Sequence, residues 1–212
     1  MQISSSRFRL VNLINHGFKY VVDKSNHYKI DESHALKHSM EVYGFAKRIY
    51  QSEVKNNPYL QEQREIIYMA AIGHDMCDKK YMNEKEGILE YKNYLTGYMS
   101  TDYLEIMGKI IETMSYSKVK INGYPKLDKY QLAYHIVREA DLLAGYDIDR
   151  CVMYSIHKEN LEYNEGLNRA IEIFNNRVFR MRQDRLFITK YAINESFKLH
   201  KNAKTYIKSL KI

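Results

Sequence analysis

Ala71-Ile72-Gly73-His74-Asp75-Met76-Cys77-Asp78-Lys79-Lys80 is the stretch on which the reading of this chain turns. A His-Asp pair closes an apolar run, and a second acid and two lysines follow at once. Upstream, Ile66, Ile67, Met69, Ala70 and Ile72 recur at the spacing of a buried helix face. A charged carboxylate at the mouth of such a helix is costly unless it is paired or holds a cation. Asp75 beside His74 therefore points to a metal. A single dipeptide is a weak signal, so the reading depends on what else the chain carries.

Two further stretches support it. Ser33-His34-Ala35-Leu36-Lys37-His38-Ser39-Met40-Glu41-Val42 lies upstream, and Val137-Arg138-Glu139-Ala140-Asp141-Leu142-Leu143-Ala144-Gly145 lies downstream. Each sets a potential ligand among apolar residues at helical spacing. The resulting order is His38, then His74-Asp75, then Asp141. With Val42 four residues after His38, and Asp78 and Lys80 just after the pair, the chain resembles the HD-domain metal-dependent phosphohydrolases, in their small single-domain branch. The resemblance covers about residues 31–150. It implies an all-α fold: a single-domain, HD-type helical bundle over 1–212, with 151–212 as a C-terminal helical extension.

The resemblance also assigns roles. His38, His74, Asp75 and Asp141 are the expected metal ligands. Two imidazoles and two carboxylates suit one divalent ion such as Mn²⁺, Mg²⁺, Co²⁺ or Fe²⁺. An octahedral ion held this way keeps room for a water and a phosphate oxygen, and it acidifies the water. Asp75 is thus part of the catalytic centre as well as of the ligand set. Asp78, one turn beyond the pair, either orients or deprotonates the attacking water or is a plain loop carboxylate. Lys80 matches the family's Asp-x-Lys element and is expected to hold phosphate. Arg150, nine residues after Asp141, matches an arginine of the branch; it grips phosphate bidentately or is a surface arginine. Lys118 is a further phosphate candidate, with the same alternative. His34 shares a helix face with His38 and is either a substrate contact or a support for the ligands. No histidine occurs between His74 and His135. Met114, Ser115 and Tyr116 stand where members with two metals carry one, so a single ion is expected.

Composition sets the outer bounds. A chain of 212 residues can bury one sizeable core. Its net charge of +7 suits an anionic substrate or nucleic acid, although a lysine-rich solvated surface accounts for most of it. Cys77 and Cys151 do not make a disulfide framework, which fits a reducing, cytoplasmic compartment. Met1 to Arg7 lack the apolar stretch of a leader, and no run approaches a membrane span. The 20 tyrosines, absent tryptophan and plentiful Lys, Asn and Ile fit an AT-rich genome, such as those of some viruses.

Strand signals are scarce, and Pro58 and Pro125 fall in connections. The pattern predicts helices over about Ser6–Val22, a second from an Asp31 or Ser33 cap to Ser52, and Tyr59–Cys77. Further helices are predicted from an Asn83 cap to Gly97, from Ser100 or Thr101 to an end in Met114-Ser115-Tyr116-Ser117-Lys118, from Asp128 through Asp141, and over Ile148–Glu159. Asp23–Ile30 and Val119–Pro125 read as connections. The last third, Asn164 to Lys201, reads as a long amphipathic helix with a basic tail to Lys211.

The expected activity is hydrolysis of a nucleotide or other small phosphate ester by a monomer or homodimer. Nucleoside triphosphate pyrophosphohydrolysis or nucleotide dephosphorylation leads; cleavage of a cyclic nucleotide or alarmone is the alternative. A rival of another class is a basic helical protein that binds nucleic acid or a partner and keeps the metal as a staple. Arg177, Arg180, Arg182, Arg185, Lys190 and Lys198 would form its surface, but spacings of two to three mix several helix faces.

Overall fold

The computed structural model describes residues 5–210. The expectation for Met1–Ser4 and the Lys211 end of the basic tail lie outside the described residues. Among those described, the regular elements are helical and no strand occurs. The all-α expectation holds.

The fold is built around α3 (Arg64–Gly73), packed on by α1 (Ser5–Tyr28), α2 (Leu36–Glu53), α5 (Thr101–Thr113) and α7 (Gln131–Ala144). Every residue of α3 from Ile66 to Gly73 is buried. The sequence dictates this: after Glu65 only the Tyr68 hydroxyl breaks an apolar surface that runs right round the helix, and such a helix is stable only when enclosed. α2 and α7 lie against each other along Val42, Ala46 and Ile49 on one side and Ala133, Val137 and Ala140 on the other, all fully buried. The alanines let the two backbones come close. That contact brings His38 and Asp141 to the same end of the bundle as the His-Asp pair.

The remaining helices are α4 (Glu84–Tyr94), α6 (Tyr116–Asn122), α8 (Ile148–Lys158), α9 (Tyr163–Ile173), α10 (Arg180–Gln183) and α11 (Lys190–Ser209). Several start on the side-chain caps that orphaned N–H groups demand. Asn83 accepts from Lys85 and Glu86, Ser100 from Tyr103, Ser115 from Lys118, Asp147 from Asp149 and Arg150, and Thr189 from Ala192. α8 pairs with α9, and α11 returns onto α2 and α7. No described helix is long and apolar enough to cross a membrane.

Several expected boundaries move. α1 runs on to Tyr28 through the polar residues read as a connection, because Val21 and Ser25 are buried and Lys24 lies along the rings of Tyr20 and Tyr28 and pairs with Glu90. Neither Asp31 nor Ser33 caps α2; Asp31 closes the preceding turn by accepting from the backbone of Ser33, His34 and Ala35. The predicted Tyr59–Cys77 helix is three pieces: a 3₁₀ turn at Pro58–Gln61, α3, and a 3₁₀ turn at His74–Cys77. Val119–Asn122, expected in a loop, belongs to α6 and ends at Gly123 with φ 72°, a backbone that glycine adopts freely. The long C-terminal helix is broken. A π-helical segment at Phe174–Val178 leads into α10, and the chain turns at Asp184–Thr189 before α11.

Candidate metal centre and its cavity

His74 and Asp75 sit on the tight turn that follows α3, where the backbone tightens from α to 3₁₀. Gly73 just before them allows it: a Cβ there would stand 2.2 Å from the Tyr91 ring. The Tyr91 hydroxyl in turn donates to the Met69 carbonyl at 2.9 Å. The pair is thus anchored against a buried aromatic from α4.

His38 Nε2 lies 3.3 Å from Asp75 Oδ2 and 3.5 Å from Asp141 Oδ1. His74 Nε2 lies 3.4 Å from Asp75 Oδ1 and 3.6 Å from Asp141 Oδ1. All four residues named from the sequence therefore converge. The tightest mutual set is His38, His74 and Asp141, whose ligand atoms fall within 4.8 Å of one another. Asp75 touches both histidines and is shared with a third partner, its Oδ2 lying 3.4 Å from Arg150 Nη2.

The donor set fits a divalent cation. His38 Nε2 and His74 Nε2 are buried and have no hydrogen-bond partner, a cost that a bound ion removes. Donors about 2.1 Å from a shared ion stand roughly 3 to 3.5 Å apart, close to the separations found here. The charges agree. Burial opposes ionisation of Asp75, but His74 and its neighbours outweigh it and hold the carboxyl well below its ordinary value. Burial of Asp141 is likewise outweighed, by the imidazoles of His38 and His74 that face it, and its carboxyl is held well below the ordinary value. Burial disfavours a charged His74, yet Asp75 and Asp141 overcome it and push the imidazole up to about 9. Two ionised carboxylates in one small space call for positive charge, whether protons on imidazoles or a metal.

The centre forms one end of a cavity of about 300 Å³. His34, Asp78, Lys80 and Arg150 line this end with His74, Asp75 and Asp141. Asp78 Oδ1 accepts the Lys80 backbone N–H at 2.9 Å, and its other oxygen is 3.7 Å from Lys80 Nζ. Lys80 Nζ is 3.1 Å from His34 Nε2, a geometry in which the ammonium donates and the imidazole accepts. Burial pushes His34 down to about 3, although Asp75 pulls the other way, so the ring is neutral and can accept. Arg150 donates through Nε to the Ser33 carbonyl and turns Nη2 to Asp75. It is therefore a built part of the centre rather than a free surface arginine.

Lys118 departs from expectation. Its ammonium is taken up by Glu84 and the Glu112 carbonyl, and it does not line the cavity. A local sequence reading could not see Glu84 across the connection. The basic residues of the rival surface also scatter. Arg177 lies over the Tyr116 ring, Arg182 donates to Ile193 and Ser196, and α10 and α11 are separate helices. They form no single stripe.

Sequence reading overlooked Tyr154 of α8, whose ring meets His34 at 5.4 Å between centroids and lies beneath Lys80 Nζ at 5.4 Å. It also overlooked the opposite wall, where Ile173, Val178 and Met181 of the C-terminal region face Ile111, Met114 and Leu142. Helical periodicity marks these residues as buried, not as cavity walls. No family model, curated protein or solved structure matches the chain.

Proposed function

We propose that this protein is a metal-dependent phosphohydrolase of the HD type, acting on a nucleotide or other small phosphate ester in the cytoplasm. The observation that carries the reading is the pair of buried, partnerless Nε2 atoms of His38 and His74, facing Asp75 and Asp141 at the end of a cavity. His38, His74, Asp75 and Asp141 would hold one divalent ion. Such an ion, when bound, lowers the pKa of water and screens charge on phosphorus.

The chain's own groups account for the rest. Arg150 and Lys80 supply positive charge beside the ligands, which suits an anionic phosphoryl group. Arg150 also holds Asp75 in place, so substrate binding and ligand geometry are linked. Asp78, half-buried and facing the cavity, is the carboxylate available to orient water or take its proton. Neutral His34 fixes the Lys80 ammonium from one side while Tyr154 carries it from below.

The test is a screen of Mn²⁺, Mg²⁺ and Co²⁺ against nucleoside mono-, di- and triphosphates, with Asp75→Ala as the blank. Metal-dependent release of phosphate or pyrophosphate, lost in the blank, is the expected result. Which of the two is released separates nucleotidase from pyrophosphohydrolase, and a cyclic nucleotide or alarmone in the panel covers the alternative. No metal-dependent turnover of any member overturns the reading.

A further inference from the structure

We infer that the end of the cavity formed by Tyr116 and Arg177 is a nucleobase subsite, selective for 6-oxopurines; this rests on the phosphohydrolase reading for its orientation. The cavity has two chemically different halves. Around the His-Asp centre it is charged, whereas Met114, Ile173 and Met181 give it an apolar wall, with Ser115 and Glu84, the latter paired with Lys118, as further polar members of the lining. Phosphate charges placed among those side chains would lose hydration without gaining partners. A substrate spanning the cavity therefore puts its phosphorus at the centre and an uncharged, largely apolar body in the other half.

Arg177 gives that body its identity. Its guanidinium carbon lies over the Tyr116 ring, 4.6 Å from the centroid, and both residues line the cavity. Among the described residues it makes no ion pair, while the neighbouring cations are engaged: Lys118 with Glu84 and Lys120 with Asp184. A stacked guanidinium is held flat with its N–H edge free in the plane. That edge matches the two adjacent acceptors, O6 and N7, of guanine or hypoxanthine. Adenine presents N7 beside an amino donor, which meets the guanidinium with like polarity. Arg177 is thus a specificity-determining residue, and Tyr116 is the platform that aligns it.

Calorimetric titration of chelator-treated protein with guanosine, inosine and adenosine 5′-monophosphates tests this without turnover. The expected result is roughly tenfold tighter binding of the two 6-oxopurine nucleotides. Arg177→Met should abolish that preference, so that the three nucleotides bind the variant alike, and Arg177→Lys should retain it only in part. Arg177 is solvent-facing and hydrogen-bonds to nothing described, so the variants should fold. Equal affinities in the native protein, a preference that survives Arg177→Met, or no nucleotide binding each overturn the inference. Turnover of the mono-, di- and triphosphates of guanosine, inosine and adenosine with Mn²⁺ is measured alongside. Base-selective binding without any turnover would leave the subsite standing and remove the hydrolase reading; base-blind binding with turnover would do the reverse.

Discussion

His74 Nδ1 lies 3.0 Å from the carbonyl oxygen of Ala71, one turn back along α3. A carbonyl can only accept, so Nδ1 carries a proton, and Nε2 is the nitrogen turned toward Asp75 and Asp141, where a cation would take the place of its own proton. Metal-ligating histidines are commonly oriented in this way by their second nitrogen.

A ligand that binds only the folded chain stabilises it by about 2.7 kcal/mol at a hundredfold excess over its Kd. Mn²⁺ should accordingly raise the melting temperature by roughly 5 to 10 °C. A chelator should reverse the rise, and Asp141→Ala should eliminate it. Differential scanning fluorimetry reads all three, and a native protein indifferent to Mn²⁺, Mg²⁺ and Co²⁺ would contradict the assigned centre.

Asp78 faces the cavity without belonging to the ligand set. Asp78→Asn should lower kcat by about 10²- to 10⁴-fold while the metal-induced melting shift persists. Full activity with metal retained would end its proposed role in activating water.

Gly73 has φ −99°, a backbone that any residue can adopt, so its requirement is steric. The added methyl of Gly73→Ala would meet the buried Tyr91 ring at 2.2 Å. We expect a loss of at least about 2 kcal/mol in urea unfolding, as for other overpacked cores. Tyr91→Leu in the same chain should recover part of it, giving a favourable coupling in a double-mutant cycle.

Glu139 is fully buried, two residues before Asp141. Its carboxylate accepts from the Ile188 N–H at 2.8 Å, the Thr189 N–H at 3.1 Å and the Thr189 hydroxyl at 2.6 Å. Arg138 closes the clamp by donating to Glu139 and to the Leu186 carbonyl. Removing one member strands the others, so Glu139→Ala should cost about 3 to 5 kcal/mol, measured by denaturant titration. A loss under 1 kcal/mol would show that the clamp relaxes.

Burial, helped by Arg138, pushes His135 down from 6.5 to about 4. The unfolded chain therefore takes up a proton near pH 6.5 that the native chain refuses until about pH 4. Stability present above pH 6.5 is lost as pH falls through that window, at up to about 1.4 kcal/mol per pH unit. Glu139 acts in the opposite sense: burial holds its carboxyl above 4.5, so its contribution is present below that value and fades as pH rises through the folded one. Comparing the native protein with His135→Gln isolates the first effect. The stability difference between them should shift in favour of the variant from pH 7 to pH 4.5, and a constant difference would exclude it.

Helix class and the caps at Asn83 and Ser100 were readable from the chain because they rest on short-range patterns, and the set of His38, His74, Asp75 and Asp141 was named through the family resemblance that its local contexts carry. An apolar residue every three or four positions declares a helix, and a polar residue at its start declares a cap. Ser115–Lys118 read as the end of the preceding helix and Val119–Gly123 as loop, because a segment this short has too little periodicity of its own; the structure starts α6 there on the Ser115 cap. The partners of the charged groups were decided only by packing. Arg150 reaches Ser33 across 117 positions, and Lys118 reaches Glu84 across 34. The break at Asp184–Thr189, tied to Glu139 from 50 positions away, turns one long amphipathic pattern into a cavity wall followed by a returning helix. Periodicity reports which face of a helix is buried; which neighbour it is buried against depends on how whole helices cross, and that is settled only when the core closes.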